Sequence, residues 1–164
     1  MQGLEVPYKD FLQKSPGVVV PFLTPDNEGV VRFVGLFAYH RGYLLEQAAL
    51  SLANIVLKKG GDTLLLSEDK RSLRKRSYGR APQDLLTRRG LAQPLGFNLS
   101  LVDFHVIHST EILSGQAKVA PATLVMVGLP AGEGDDIKTA KGVLPGVLVL
   151  ANAVNDLLWM ARDR

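Results

Sequence analysis

A helix spanning the carboxy-terminal segment would be apolar on nearly every side. From Gly142 the chain runs GVLPGVLVLANAVNDLLWMA, and Val147, Leu148, Leu150, Val154, Leu157, Leu158, Trp159 and Met160 leave no wholly polar face. A helix that is hydrophobic all round has to be covered all round. One side can pack on a sheet. A second copy of the chain is the expected cover for the other, with Leu157, Trp159 and Met160 as contacts, since Trp and Met are enriched at subunit interfaces. The competing arrangement is a helix running through a two-layer core, with an amino-terminal helix as its lid.

The longest apolar run within that segment, Gly142 to Ala151, is about half of the roughly 20 residues that a membrane span requires. The start, MQGLEVPYKDFLQKS, has no basic region followed by an apolar one, as a secretory leader would. The expectation is a soluble, cytoplasmic protein. Its 164 residues suit a single domain, 1–164, able to bury roughly 68–70% of its unfolded surface. With no cysteine, disulfides, thiolate metal sites and cysteine nucleophiles are excluded, and three histidines (His40, His105 and His108) are a thin supply for a metal centre. No metal or cofactor is expected.

The order of elements follows from hydrophobic period and breakers. VPYKDFLQK suggests a short helix stopped by Pro16 and Gly17. VVVPFL and VVRFVGLFAY suggest a hairpin around TPDNEG, with Pro21 pushing its first strand toward an edge. From Gly42 the period switches: Leu44, Leu45, Ala48, Ala49, Leu52, Ile55 and Val56 share a helical face, and Lys58, Lys59 and Gly60 mark its end. DTLLL is a third strand. QDLLTRR, after Pro82, suggests a small helix. FNLSLVDFHVIHSTEIL and APATLVMVGL follow as strands, GEGDDIKTAKG as a polar loop, and the apolar helix closes the chain. No internal repeat is apparent.

This order predicts an α+β fold: one mixed or antiparallel sheet of about five strands with helices packed on it, and a basic insertion at about 68–90 after the third strand. It resembles the element order of profilin-like, longin-like and roadblock-like sandwiches, an analogy of architecture that carries no function.

The charge is concentrated in that insertion. KRSLRKRSYGR, Lys70 to Arg80, holds six cations and no acid, and Glu68 to Arg89 sums to +5 in a chain whose net charge is +3. Lys70, Arg71, Arg74, Lys75, Arg76, Arg80, Arg88 and Arg89 are candidate phosphate contacts, because guanidinium forks match phosphate oxygens and each contact releases a counterion. Tyr78 could stack on an exposed base. Nucleic acid is the partner these residues fit. An acidic protein or membrane surface is the alternative, and a solvated loop that only aids solubility is the bland one. Phosphate on Ser77 would cancel much of this field.

Two other motifs bear on chemistry. On a strand, Asp103, His105, Ser109 and Glu111 would share a face, so that Asp103 could orient His105 as a general base on an acidic substrate. No nucleophile motif surrounds Ser109. Near the end, GEGDDIKT departs from a phosphate-binding loop at Ile137, and Asp135 and Asp136 would repel phosphate. The sequence thus favours a non-enzymatic, self-associating assembly or adaptor module that presents its basic segment to an anionic partner. A small cofactor-free enzyme built on Asp103 and His105 is the alternative.

Overall fold

A computed structural model describes residues 23–87, 91–121, 123–129 and 132–162. The expected first helix and all of the expected first strand but Leu23 lie outside these residues. The described chain is mixed α+β, with nine strands and three α-helices. Its strands form four small antiparallel sheets rather than the expected single sheet of about five.

The reason is visible at Leu36. The run from Val30 to Tyr39 is not one strand but two, β1 (Phe33–Gly35) and β2 (Phe37–His40), separated by the fully buried Leu36. At that step the Leu36 N–H donates to the Leu91 carbonyl and its own carbonyl accepts from Gln47. The chain therefore changes partners: β1 pairs with β7 (Ala92–Pro94), while β2 pairs with β3 (Tyr43–Glu46). Arg41 and Gly42, both at positive φ, make the two-residue turn between β2 and β3, the backbone that best matches the twist of a tight hairpin.

Helix α1 (Ala48–Lys58) follows directly and ends where Gly61 takes a positive φ. Next come β4 (Asp62–Leu66), β5 (Ser72–Ser77) and β6 (Gln83–Thr87), in that spatial order. The segment QDLLTRR was expected to be helical. Residues 83–87 instead gain a ladder and a buried Leu85 by pairing with β5.

Residues 97–113 are not a strand. Ser100 and Asp103 form a capping box around one 3-10 turn, Leu101–Asp103, and Glu111 caps the short helix α2 (Ser109–Leu113) through the His108 N–H. These local side-chain bonds compete with a ladder and win here. Residues 123–129 pair with no described strand, and Val127 is exposed. The expected polar loop is instead a hairpin, β8 (Asp136–Thr139) and β9 (Gly142–Pro145), leading straight into α3 (Gly146–Arg162).

One core joins these pieces. Val34, Leu36, Ala49, Leu50, Ala53, Leu64, Leu73 and Leu85 meet Ala153, Val154, Leu157 and Ala161. A repeat organises it. A hairpin followed at once by a helix occurs twice, and both helices carry Leu-Ala-Asn-x-Val, at Leu52–Val56 and Leu150–Val154. Each asparagine clamps a passing backbone with both ends of its amide. Asn54 accepts from the Leu64 N–H (2.7 Å) and donates to the Leu64 carbonyl (3.0 Å). Asn152 does the same for Leu99, at 2.9 and 3.1 Å. Among the described residues, no helix is long and apolar enough to cross a membrane.

Candidate nucleic-acid interface

The basic stretch is not an inserted loop. Its middle, Ser72 to Ser77, is the central strand of the β4–β5–β6 sheet. Strand geometry then sorts its cations by parity. Leu73, Lys75 and Ser77 point toward the helices, and Ser72, Arg74 and Arg76 point the other way.

On the inner side Leu73 is fully buried, and Lys75 lies opposite the fully buried Leu64. The Lys75 side chain is only 11% exposed. Its ammonium donates to the Ala161 carbonyl at 2.5 Å and pairs with Asp62 at 3.2 Å. Ala161 is in the last turn of α3, where carbonyls lack helical partners and the dipole favours a cation. The Ser77 hydroxyl, followed by Lys75, holds the Asp62 carboxyl below the usual carboxylate range.

On the outer side Arg74 is paired across the sheet with Asp84, Nε to Oδ1 at 2.5 Å, and Asp84 also accepts from the Ser72 hydroxyl at 3.2 Å. A β-bulge places Asp84 there. Leu73 opposes Leu86 and Arg74 opposes Asp84, so Leu85 is the extra residue and turns into the core.

The remaining cations separate to the two ends of β5. At the β4–β5 turn, Lys70 (φ 58°) and Arg71 are exposed beside Glu68 and Asp69. Asp69 accepts from the Ser67 hydroxyl at 2.5 Å and from the Arg71 N–H at 3.1 Å, which lowers its pKa. At the β5–β6 turn, Arg76, Tyr78 and Arg80 are all exposed, Tyr78 at 98%. No described residue forms an ion pair with Arg76 or Arg80. Arg88 and Arg89 lie outside the described residues.

Asp103 and His105 do not share a strand face. The Asp103 carboxylate accepts from the backbone N–H (2.7 Å) and hydroxyl (2.9 Å) of Ser100, and both bonds lower its pKa. His105 is exposed beyond the 3-10 turn, and Glu111 is engaged with the His108 N–H. Among the described residues no three His, Asp or Glu side chains are grouped to hold a metal ion.

The three candidate contacts on α3 also separate. Leu157 is fully buried in the core of its own chain, Met160 is half-buried, and Trp159 is 56% exposed. Much of the helix's apolar surface is thus covered by α1 and the sheet. Sequence reasoning missed Asn54 and Asn152, although the repeated Leu-Ala-Asn-x-Val was a legible signal. No protein-family model, curated protein or solved structure matches the chain.

Proposed function

We propose that this protein is a non-enzymatic, self-associating adaptor module whose β4–β5–β6 sheet offers the β5–β6 turn to nucleic acid. The observation that carries this reading is that Arg76, near the end of the central strand β5, and Tyr78 and Arg80, in the turn after it, are all exposed. Two guanidinium groups flanking an exposed phenol suit a single strand, with phosphates on the cations and a base on the ring. Lys70 and Arg71, about 20 Å away at the other end of a six-residue strand, extend the track and are partly offset by Glu68 and Asp69. Self-association would multiply contacts that are individually weak. Trp159 and Met160, rather than Leu157, are the α3 residues available for it.

Titration with a single-stranded oligonucleotide at two salt concentrations tests the proposal. With about four cations engaged, the logarithm of affinity should fall with the logarithm of salt at a slope near −3. Replacing Arg76 and Arg80 together with Ala should flatten that slope by about 1.4. Affinity that is insensitive to salt, or equal in this double variant, would overturn the reading. Sedimentation at several concentrations tests self-association, and a monomer throughout would remove that part.

A further inference from the structure

We infer that the tip of the β2–β3 hairpin, with Tyr39, Arg41 and Tyr43, is a second contact for single-stranded nucleic acid. One phosphate meets Arg41 there, and the bases on either side of it stack on the two tyrosines. The class of ligand rests on the reading of β5 given above; the residues do not. The hairpin is fixed at its base, where the carbonyl of the fully buried Leu36 accepts from the Gln47 N–H and Phe37 packs against the core. Its four-residue strands carry the tip about 13 Å from that base. In the ladder Tyr39 lies opposite Leu44, and Tyr43 opposite His40. Neighbouring pairs alternate faces, so the two tyrosines stand on opposite sides of the hairpin, 63% and 73% exposed.

Exposed tyrosines on a surface strand are ordinary. The residue between these two is not. Arg41 and Gly42 take φ values of 47° and 84°, a turn that favours Asn-Gly, and Arg bears a backbone cost there that Asn bears less. Arg41 is exposed, and no described residue forms an ion pair with it. The hairpin's one acid, Glu46, sits at the base and accepts from the Ser51 hydroxyl at 2.9 Å. An unpaired cation between two exposed rings is complemented by negative charge flanked by flat apolar faces. A nucleotide step has that form, one phosphate with a base on each side. A duplex keeps its bases stacked and paired, out of reach of the rings. An acidic peptide brings the charge without the faces.

The hairpin also lies on the way to the basic sheet. It runs into α1, α1 turns at Gly60 and Gly61 into β4, and the Asn54 clamp on Leu64 keeps β4 running back beside the helix. The β4–β5 turn therefore lies toward the end of α1 from which the hairpin projects. A single strand that continues from the tip onto the sheet thus reaches Lys70 and Arg71 before the β5–β6 turn.

The full chain is titrated with a single-stranded oligonucleotide, the matching duplex and an abasic sugar–phosphate strand of the same length, each at two salt concentrations. Tyr39→Thr and Tyr43→Thr keep strand propensity. Each should weaken single-strand binding about fivefold or more, with the salt slope and the abasic strand's affinity unchanged. Arg41→Asn should flatten the slope by about 0.7. The melting temperature of the free Arg41→Asn protein should stay the same or rise, because Asn accepts positive φ more readily.

Tyrosine variants that bind the single strand like the wild type, an unchanged slope in Arg41→Asn, or a duplex bound as tightly as the single strand would each overturn the inference. So would phosphatidylserine vesicles bound through Tyr39 and Tyr43 when the oligonucleotide is not, which would make the tip a membrane contact. The Arg76→Ala, Arg80→Ala double variant separates the two readings. If its slope flattens while the tyrosine variants bind normally, the β5–β6 turn stands and the hairpin contact falls. If only the hairpin variants change binding, the hairpin contact stands and the turn falls. No saturable binding of any oligonucleotide removes both.

Discussion

The ammonium of Lys75 donates to the carbonyl oxygen of Ala161, 86 residues further along the chain, at 2.5 Å. A cation from the most basic stretch of the sequence thus tethers the central strand to the end of α3, with Asp62 as its counter-ion. Replacing Lys75 with Met should therefore act on stability. The loss is expected to be about 2–3 kcal/mol, because a hydrogen bond from a charged group disappears and Asp62 loses its cation in a half-buried setting. Urea unfolding measures it, and oligonucleotide affinity should change little.

Arg74 behaves differently because its partner is on the solvent side. Its side chain is 41% exposed and that of Asp84 48%, and such surface pairs, screened by solvent, contribute little to stability. Asp84→Asn should leave stability nearly unchanged while releasing Arg74 to an anionic partner. Oligonucleotide affinity should rise, and the salt slope should steepen by about 0.7. The same titration used for the wild type checks both.

The asparagine clamps carry a separate expectation. Asn54→Ala would leave both the N–H and the carbonyl of Leu64 buried without partners, at a cost of about 2–5 kcal/mol. Hydrogen exchange at the Leu64 amide should accelerate selectively. Asn152→Ala should do likewise at Leu99, where Asn152 also donates to Leu148.

Both clamps, and the fate of the basic stretch, mark where the sequence was legible. The strand at Asp62–Leu66 and the ends of the helices Ala48–Lys58 and Gly146–Arg162 stand close to where period and breakers put them. Both helices start later than expected, because Leu44 and Leu45 lie in β3 and Val143 and Leu144 in β9. Charge clustering singles out Lys70–Arg80. It does not separate Lys75 from Arg76, because facing is decided by strand pairing with β4 and β6, which charge clustering does not encode. The strands expected around Asp103 and Val125 failed for a related reason. Apolar alternation allows a strand, but only a partner edge makes one, and Ser100, Asp103 and Glu111 supply local bonds instead.

The carboxyls give stability a pH dependence with two opposite components. Asp26, through the Val30 N–H, Asp62, through Ser77, and Asp69, through Ser67, are held below the usual range when folded. Their contribution is complete above an unfolded pKa of about 3.9 and is lost as the pH falls through the lowered folded values. Asp156 is raised by burial, so its contribution is complete below that same value and is lost as the pH rises through its raised folded pKa. Urea midpoints measured across this range should show Asp62→Asn flattening the acid limb. Asp156→Asn should remove the decline at higher pH.

Chemical labelling of lysine and arginine side chains, read by mass spectrometry with and without a single-stranded oligonucleotide, tests most directly how β5 divides its charges. Lys70, Arg76 and Arg80 should label fast in the free protein and be protected by the oligonucleotide, while Lys75 labels slowly in both states. Lys75 reacting as fast as Lys70, or Arg76 and Arg80 left unprotected at saturating oligonucleotide, would contradict the division of this strand into a structural face and a binding face.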